Sequence, residues 1–302
     1  MNTLFQMMPL RRLALLLAIC LMCMGTGPAT AAGPDPNPAA ALHAKYAELG
    51  PQLSNNPFKR PLHLVSTESS SQLKGDIYAL VDYPFAAVRE ALTDPAHWCD
   101  VLILHLNTKY CRASINKTGS MLAVSIGKKN FQQLEDAHRV DFSYGVATTT
   151  PEYFDVGLYA PKGPLGTSDY RIQLEAVSTQ AGKTFLHLTY SYTHNLVARV
   201  AMRGYLATIG SGKVGFTETG KQSNGQPDYI GGVRGVVERN TMRYYLAIDA
   251  YLGELSTPPA EQLEKRLQNW FTATERYPRQ LHEVERADYL DMKRREYQRQ
   301  QQ

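Results

Sequence analysis

The sequence predicts an α+β protein, a run of antiparallel strands followed by one long helix. Three observations predict it. Between Lys109 and His194, six segments rich in Tyr, Val, Ile, Thr and Phe are parted by Pro, Gly and Asn turns. Within "SDYRIQLEAVS", Tyr170, Ile172, Leu174 and Ala176 alternate with Asp169, Arg171, Gln173 and Glu175, the pattern of a strand with one buried face. After the strands, Val233, Val237, Tyr244, Ile248, Tyr251 and Leu255 recur at helical spacing until Gly253 and Pro258-Pro259 end the stretch.

The first element is a leader. Arg11 and Arg12 form a positive start, Leu13 to Met24 an apolar run of about a dozen residues, and Ala29-Thr30-Ala31 a small-residue cleavage site. The run is shorter than the roughly 20 residues that a spanning helix needs. Residues 1–31 are therefore expected to be a signal peptide, and the mature chain a periplasmic or secreted protein. Cleavage removes two arginines and no acid, so the net charge falls from +4 to +2. Neither that charge nor any basic run suits nucleic acid.

Export bears on the cysteines. Cys20 and Cys23 leave with the leader, and Cys99 and Cys111 remain as an even pair in an oxidising compartment. A disulfide between them is expected, closing a loop of about a dozen residues and contributing roughly 3 kcal/mol. A metal set of His97, Cys99, His105 and Cys111 matches no zinc spacing, so no metal is expected, and the two histidines read as surface or boundary residues.

Residues 32–60 read as an arm with one short helix, "AALHAKYAEL". "RPLHLVS" and "LKGDIYALVDYPF" read as strands, and "PFAAVREALTD" as a helix with Phe85, Val88 and Leu92 on one face. "DPAHWCDVLILHL" is a second helix, with Asp94 as cap and Pro95 at its first position. The meander follows, then a helix over "LVARVAMRGYLATIG", a strand at "GKVGFTETG", and the long helix, on which Arg234 and Glu238 form an i,i+4 pair. Residues 256–302 form a charged two-helix tail hinged near Pro278. Leu263, Leu267, Trp270 and Phe271 give its first helix an apolar stripe, and Leu281, Val284, Leu290 and Met292 give the second a thinner one.

The stretches "GDIYALVDYPFAAVREALTDPAHW" and "GVVERNTMRYYLAIDAYL", and the element order between them, resemble the START-like superfamily, also called SRPBCC. The resemblance covers residues 61–255. It implies a helix-grip fold, a curved antiparallel sheet wrapped around the long C-terminal helix with an apolar cavity between them. It implies an exported bacterial member that binds a hydrophobic small molecule such as a lipid, a sterol-like compound or a quinone. Transient membrane contact suits such a ligand, and no protein partner is indicated.

Candidate wall residues are tyrosines, which offer an apolar body with a polar handle: Tyr144, Tyr153, Tyr170 and Tyr192 on strands and Tyr244 on the helix. Trp98 is a candidate edge of the cavity by the same resemblance. Asn240 lies near the apolar stripe and needs a partner, while Arg239 or Arg243 could meet a carboxylate or phosphate. The plain alternative for each is packing or solvent. No nucleophile elbow or phosphate loop is present, no cofactor is indicated, and His187 or His194 could act as a base only in a cyclase-like pocket. Binding therefore leads, with a cyclase- or hydrolase-type enzyme using the same cavity and an envelope protein acting through its tail as alternatives. Candidate gates are "APKGPLGTSD" and residues 210–215.

Overall fold

The computed structural model describes residues 37–302, except Thr118, residues 196–199, 201–203 and 205–211, and the side chain of Leu165. The leader expected at residues 1–31 falls outside these residues. So do most of the helix expected at 196–210 and the first part of the gate at 210–215.

Eight strands form one antiparallel sheet in the order β1-β2-β8-β7-β6-β5-β4-β3. β1 is Leu62–Glu68, β2 Gln72–Val81, β3 Thr108–Asn116 and β4 Gly119–Ile126. β5 is His138–Thr149, β6 Tyr153–Lys162, β7 Thr167–Ser178 and β8 Thr184–His194. β3 to β8 are the expected meander, and the serine-rich turn makes β1 and β2 a hairpin. A small separate sheet pairs β9 (Glu218–Lys221) with β10 (Pro227–Tyr229). β9 is the remnant of the strand expected at "GKVGFTETG".

Two helices bridge β2 and β3. α3 (Phe85–Leu92) follows Pro84 and buries Phe85, Val88 and Leu92. α4 (Pro95–Leu102) is capped by Asp94, whose carboxylate accepts from the Ala96 amide at 2.8 Å. Cys99 on α4 and Cys111 on β3 are joined by a disulfide with their Cα atoms 5.2 Å apart.

α5 (Gly232–Leu252) lies across the inner face of the sheet. It passes so close to β2 that a Cβ on Gly75 would stand 2.3 Å from the Thr241 hydroxyl. Val237, Thr241 and Ile248 are buried, as are Met242, Tyr245 and Leu246. The helix has core on several sides because the tail covers what the sheet leaves. Arg234 and Glu238 do not pair directly. Both reach Ser66, through its hydroxyl at 3.1 and 2.6 Å.

The outer face of the sheet is covered by the arm. α1 (Pro38–Glu48) and α2 (Gly50–Ser54) place Leu42, Leu49 and Leu53 against Tyr153, Val177 and Phe185. The tail comprises α6 (Pro259–Thr274), α7 (Pro278–Leu281) and α8 (Arg286–Gln300). Its expected stripes are covered: Leu267, Trp270, Phe271, Leu281, Leu290 and Met292 are buried, and Leu263 and Val284 are half-buried. Trp270 stacks on Tyr289 with ring centres 5.0 Å apart. A tail working through an exposed apolar stripe does not match this packing.

Candidate functional site

The inner face of β7 and β8 carries a cluster of rings. Alternation puts Tyr170 on β7 and Tyr190, Tyr192 and His194 on β8 toward α5. Tyr170 stacks on Tyr192 at 5.1 Å, and Tyr190 lies 5.1 Å from Tyr244 of α5. Tyr244 in turn stacks on His105 at 4.7 Å. The result is one continuous aromatic wall from β8 across α5 to the loop after α4.

Burial raises the hydroxyl pKa of Tyr170, Tyr190, Tyr192 and Tyr244 above the ordinary value, so all four stay protonated. Asn240, one turn before Tyr244, meets the Tyr190 hydroxyl and accepts weakly from Arg243 at 3.4 Å. Val236, Asn240 and Tyr244 repeat every four residues and keep partial exposure, while their helical neighbours Val237, Thr241 and Tyr245 are buried. Accessible surface therefore remains along this stripe, next to the ring wall.

The loop between β6 and β7 closes one end. Thr167 hydrogen-bonds the Tyr170 hydroxyl at 3.0 Å and donates to the Pro164 carbonyl. Gly163 packs against the Tyr170 ring, where a Cβ would stand 2.2 Å from Cε2. This is the "APKGPLGTSD" gate candidate. The other candidate is partly pinned: the Gly215 amide donates to the Ile230 carbonyl at 2.7 Å, and the Val214 carbonyl accepts from Arg239 at 3.1 Å.

Of the eight expected ligand residues, the structure brings Tyr170, Tyr192, Asn240 and Tyr244 together, with Arg243 joined through Asn240. Trp98 and Tyr144 meet elsewhere, both donating to the Leu92 carbonyl, at 2.8 and 3.1 Å. They brace the end of α3. Tyr153 lies on the outer face, its hydroxyl donating to Glu175 at 3.0 Å. Tyr190 was missed although it shares its parity on β8 with Tyr192. His105, expected near the surface, is only 3% exposed because α8 packs over its loop.

The two candidate bases differ. His187 is on the outer face, with Nδ1 2.7 Å from Glu175 and Nε2 2.8 Å from Asp76. Burial opposes its charge, but these two carboxylates outweigh burial and raise its pKa. With both nitrogens engaged it cannot take a proton from a substrate. His194 is buried on the inner face, and neither ring nitrogen has a hydrogen-bond partner among the described residues.

Two clefts open away from the ring wall. One, of 440 Å³, lies at the C-terminal end of α5, where Arg60 pairs with Asp249 at 2.6 Å. The other, of 310 Å³, lies between Phe131 and α8. No group of metal-binding side chains occurs among the described residues.

No protein-family model and no curated protein matches the chain. Similar solved structures include human StAR-related lipid transfer protein 5, at 10% identity and a TM-score of 0.36, over 73% of this chain and 99% of that one. Ara h 8.0201 matches at 9% identity and a TM-score of 0.33, over 64% of this chain and 99% of that one. A norcoclaurine synthase point mutant from Thalictrum flavumn matches at 13% identity and a TM-score of 0.31, over 48% of this chain and 93% of that one. At these identities and scores the likeness carries no functional weight, and the architecture stands on the chain's own sheet and helix.

Proposed function

We propose that the protein is an exported carrier that binds a hydrophobic small molecule between the sheet and α5, as the START-like reading of the sequence implies. One observation carries this. The stripe Val236, Asn240 and Tyr244 on α5 keeps accessible surface beside the rings of Tyr170, Tyr190 and Tyr192. Tyrosine faces suit an apolar body, and their buried hydroxyls with Asn240 can orient one polar group. The loop over Tyr170 is the entry, since lifting Pro164 and Thr167 uncovers that ring. The mechanism is sequestration, with ligand surface exchanged from water to rings.

A cyclase-like enzyme is the second reading. His194 favours it, as a buried imidazole on the same face whose two nitrogens remain available to a substrate.

Native mass spectrometry of the mature protein, purified without detergent and then extracted into organic solvent, tests the carrier reading. A near-stoichiometric apolar molecule is the expected result. A bare mass, with no apolar compound raising the melting temperature, sinks it. The N-terminal sequence of the exported chain tests cleavage after Ala31.

A further inference from the structure

The neighbourhood of His105 is unusual in its charge. Glu283 is ion-paired with Arg243, Lys129 and Lys213. Glu296 is ion-paired with Lys109 and Lys293. Five cations thus meet two carboxylates, and Lys109, Lys293 and Arg243 are each no more than 2% exposed. Four of the five act directly on His105. Buried cations in excess of their counter-charges are costly. Burial, with Arg243 beside it, brings Lys129 to about 7, and burial, only partly offset by Glu296, brings Lys293 to about 8.

The hydrogen bonding shows the same imbalance. His105 Nδ1 accepts from the Asn107 amide at 3.1 Å, so in the neutral ring Nε2 carries the proton. That N–H has no acceptor among the described residues, and the same holds for Nε of Arg243. Both residues are at least nine-tenths buried. Every polar atom left over at this point is therefore a donor. His105 stacks on Tyr244, so these donors stand at the end of the aromatic wall.

We propose that the ligand is an amphiphile with an anionic head, a carboxylate above all, received by the His105 Nε2–H with Arg243 supplying the charge. This rests on the carrier reading and narrows its ligand. An amine head would add a cation to a region already in surplus. A hydroxyl head would satisfy one donor and leave the charge unbalanced.

The test uses the full mature chain, stripped of bound lipid. Its binding of cis-parinaric acid is followed by fluorescence, and palmitate, hexadecanol and hexadecylamine are compared as competitors of equal chain length. Palmitate is expected to displace the probe about tenfold better than hexadecanol, with hexadecylamine weakest. His105→Phe keeps the ring on Tyr244 but removes the donor, and should shrink the preference to about twofold. His105→Gln, which restores an N–H near the same place, should keep most of it. Near-UV circular dichroism confirms that each variant is folded. Equal displacement by palmitate and hexadecanol overturns the proposal and leaves the carrier reading standing. So does a full carboxylate preference in His105→Phe. If no chain binds but an apolar molecule still co-purifies, the anionic head is wrong and the carrier survives. If nothing binds and nothing co-purifies, both fall.

Discussion

Lys293 and Glu296, one turn apart on α8, lie 2.7 Å from each other and neither touches solvent. The second oxygen of Glu296 accepts from Lys109 of β3 at 3.0 Å. Lys293 also donates to the carbonyls of His105 and Thr108, both at 2.7 Å. The tail is thus bonded into the loop that the disulfide closes.

Removing the shared carboxylate should be severe. Glu296→Gln leaves two buried ammonium groups without a counter-charge and is expected to cost about 3–5 kcal/mol, read as a shift in the urea midpoint. Lys293→Met removes one of the surplus cations and should cost clearly less. Equal losses in the two variants would contradict the charge count around His105.

Glu283 gives the acid limb of stability. Burial alone would raise its pKa, but Arg243, Lys129 and Lys213 outweigh burial and hold it at about 2, against an ordinary 4.5. A carboxylate lowered in the fold stabilises fully above its unfolded value and loses that effect as pH falls through the folded one. Between pH 4.5 and pH 2 the protein should lose up to ~3 kcal/mol from this group. Denaturant melts at pH 7 and pH 3 should show the difference, and Glu283→Gln should flatten it.

The disulfide is a staple. Cys99→Ser with Cys111→Ser should cost roughly 3 kcal/mol, as expected for a loop of this length. Reductant should lower the wild-type midpoint to that of the double variant. A midpoint indifferent to reductant would show that α8 alone fixes the loop.

Gly75→Ala probes the crossing of α5 over β2. The new methyl would meet the Thr241 hydroxyl, and a cost of about 1–3 kcal/mol is expected. Thr241→Ala in the same chain should recover most of it, which a thermal melt of the double variant would show. Failure to recover would place the strain in the backbone of β2.

His187 should separate the two faces of the sheet. Its raised pKa means its contribution is fully present below pH 6.5 and fades as pH rises through the folded value. His187→Leu should lower stability at pH 5.5 more than at pH 8.5, because Asp76 and Glu175 lose the cation between them. Ligand recovered by extraction should be unchanged, since the ring faces away from α5.

Much of this was legible. The alternation of Tyr170, Ile172, Leu174 and Ala176 placed them on the inner face, and Asp94-Pro95 fixed the start of α4. What escaped depends on long-range packing. His105 sits in a short polar stretch with the local look of a surface residue. It is buried because α8, some 180 residues later, caps the carbonyls around it. Lys109 and Lys293 carry no local sign that they share a carboxylate. Tyr190 had a signal in its parity with Tyr192. Tyr153 misled because a strand tyrosine declares its face only once register is known, and the arm that covers it lies a hundred residues earlier.

The cap on the disulfide loop also sets a timetable. Tyr289, Lys293 and Gln300 reach back to Leu104, His105 and Cys111, so the wall behind the aromatic rings is completed by residues 185 to 189 positions later in the chain. β2 and β8 likewise wait for each other across more than 100 residues. A nascent chain can form its hairpins but cannot finish its interior before α8 is made. A chain stopped before Arg286 would present Lys109 and the carbonyls of the loop to water. Loss of α8 would therefore be felt at the ring of His105, 188 positions away from Lys293.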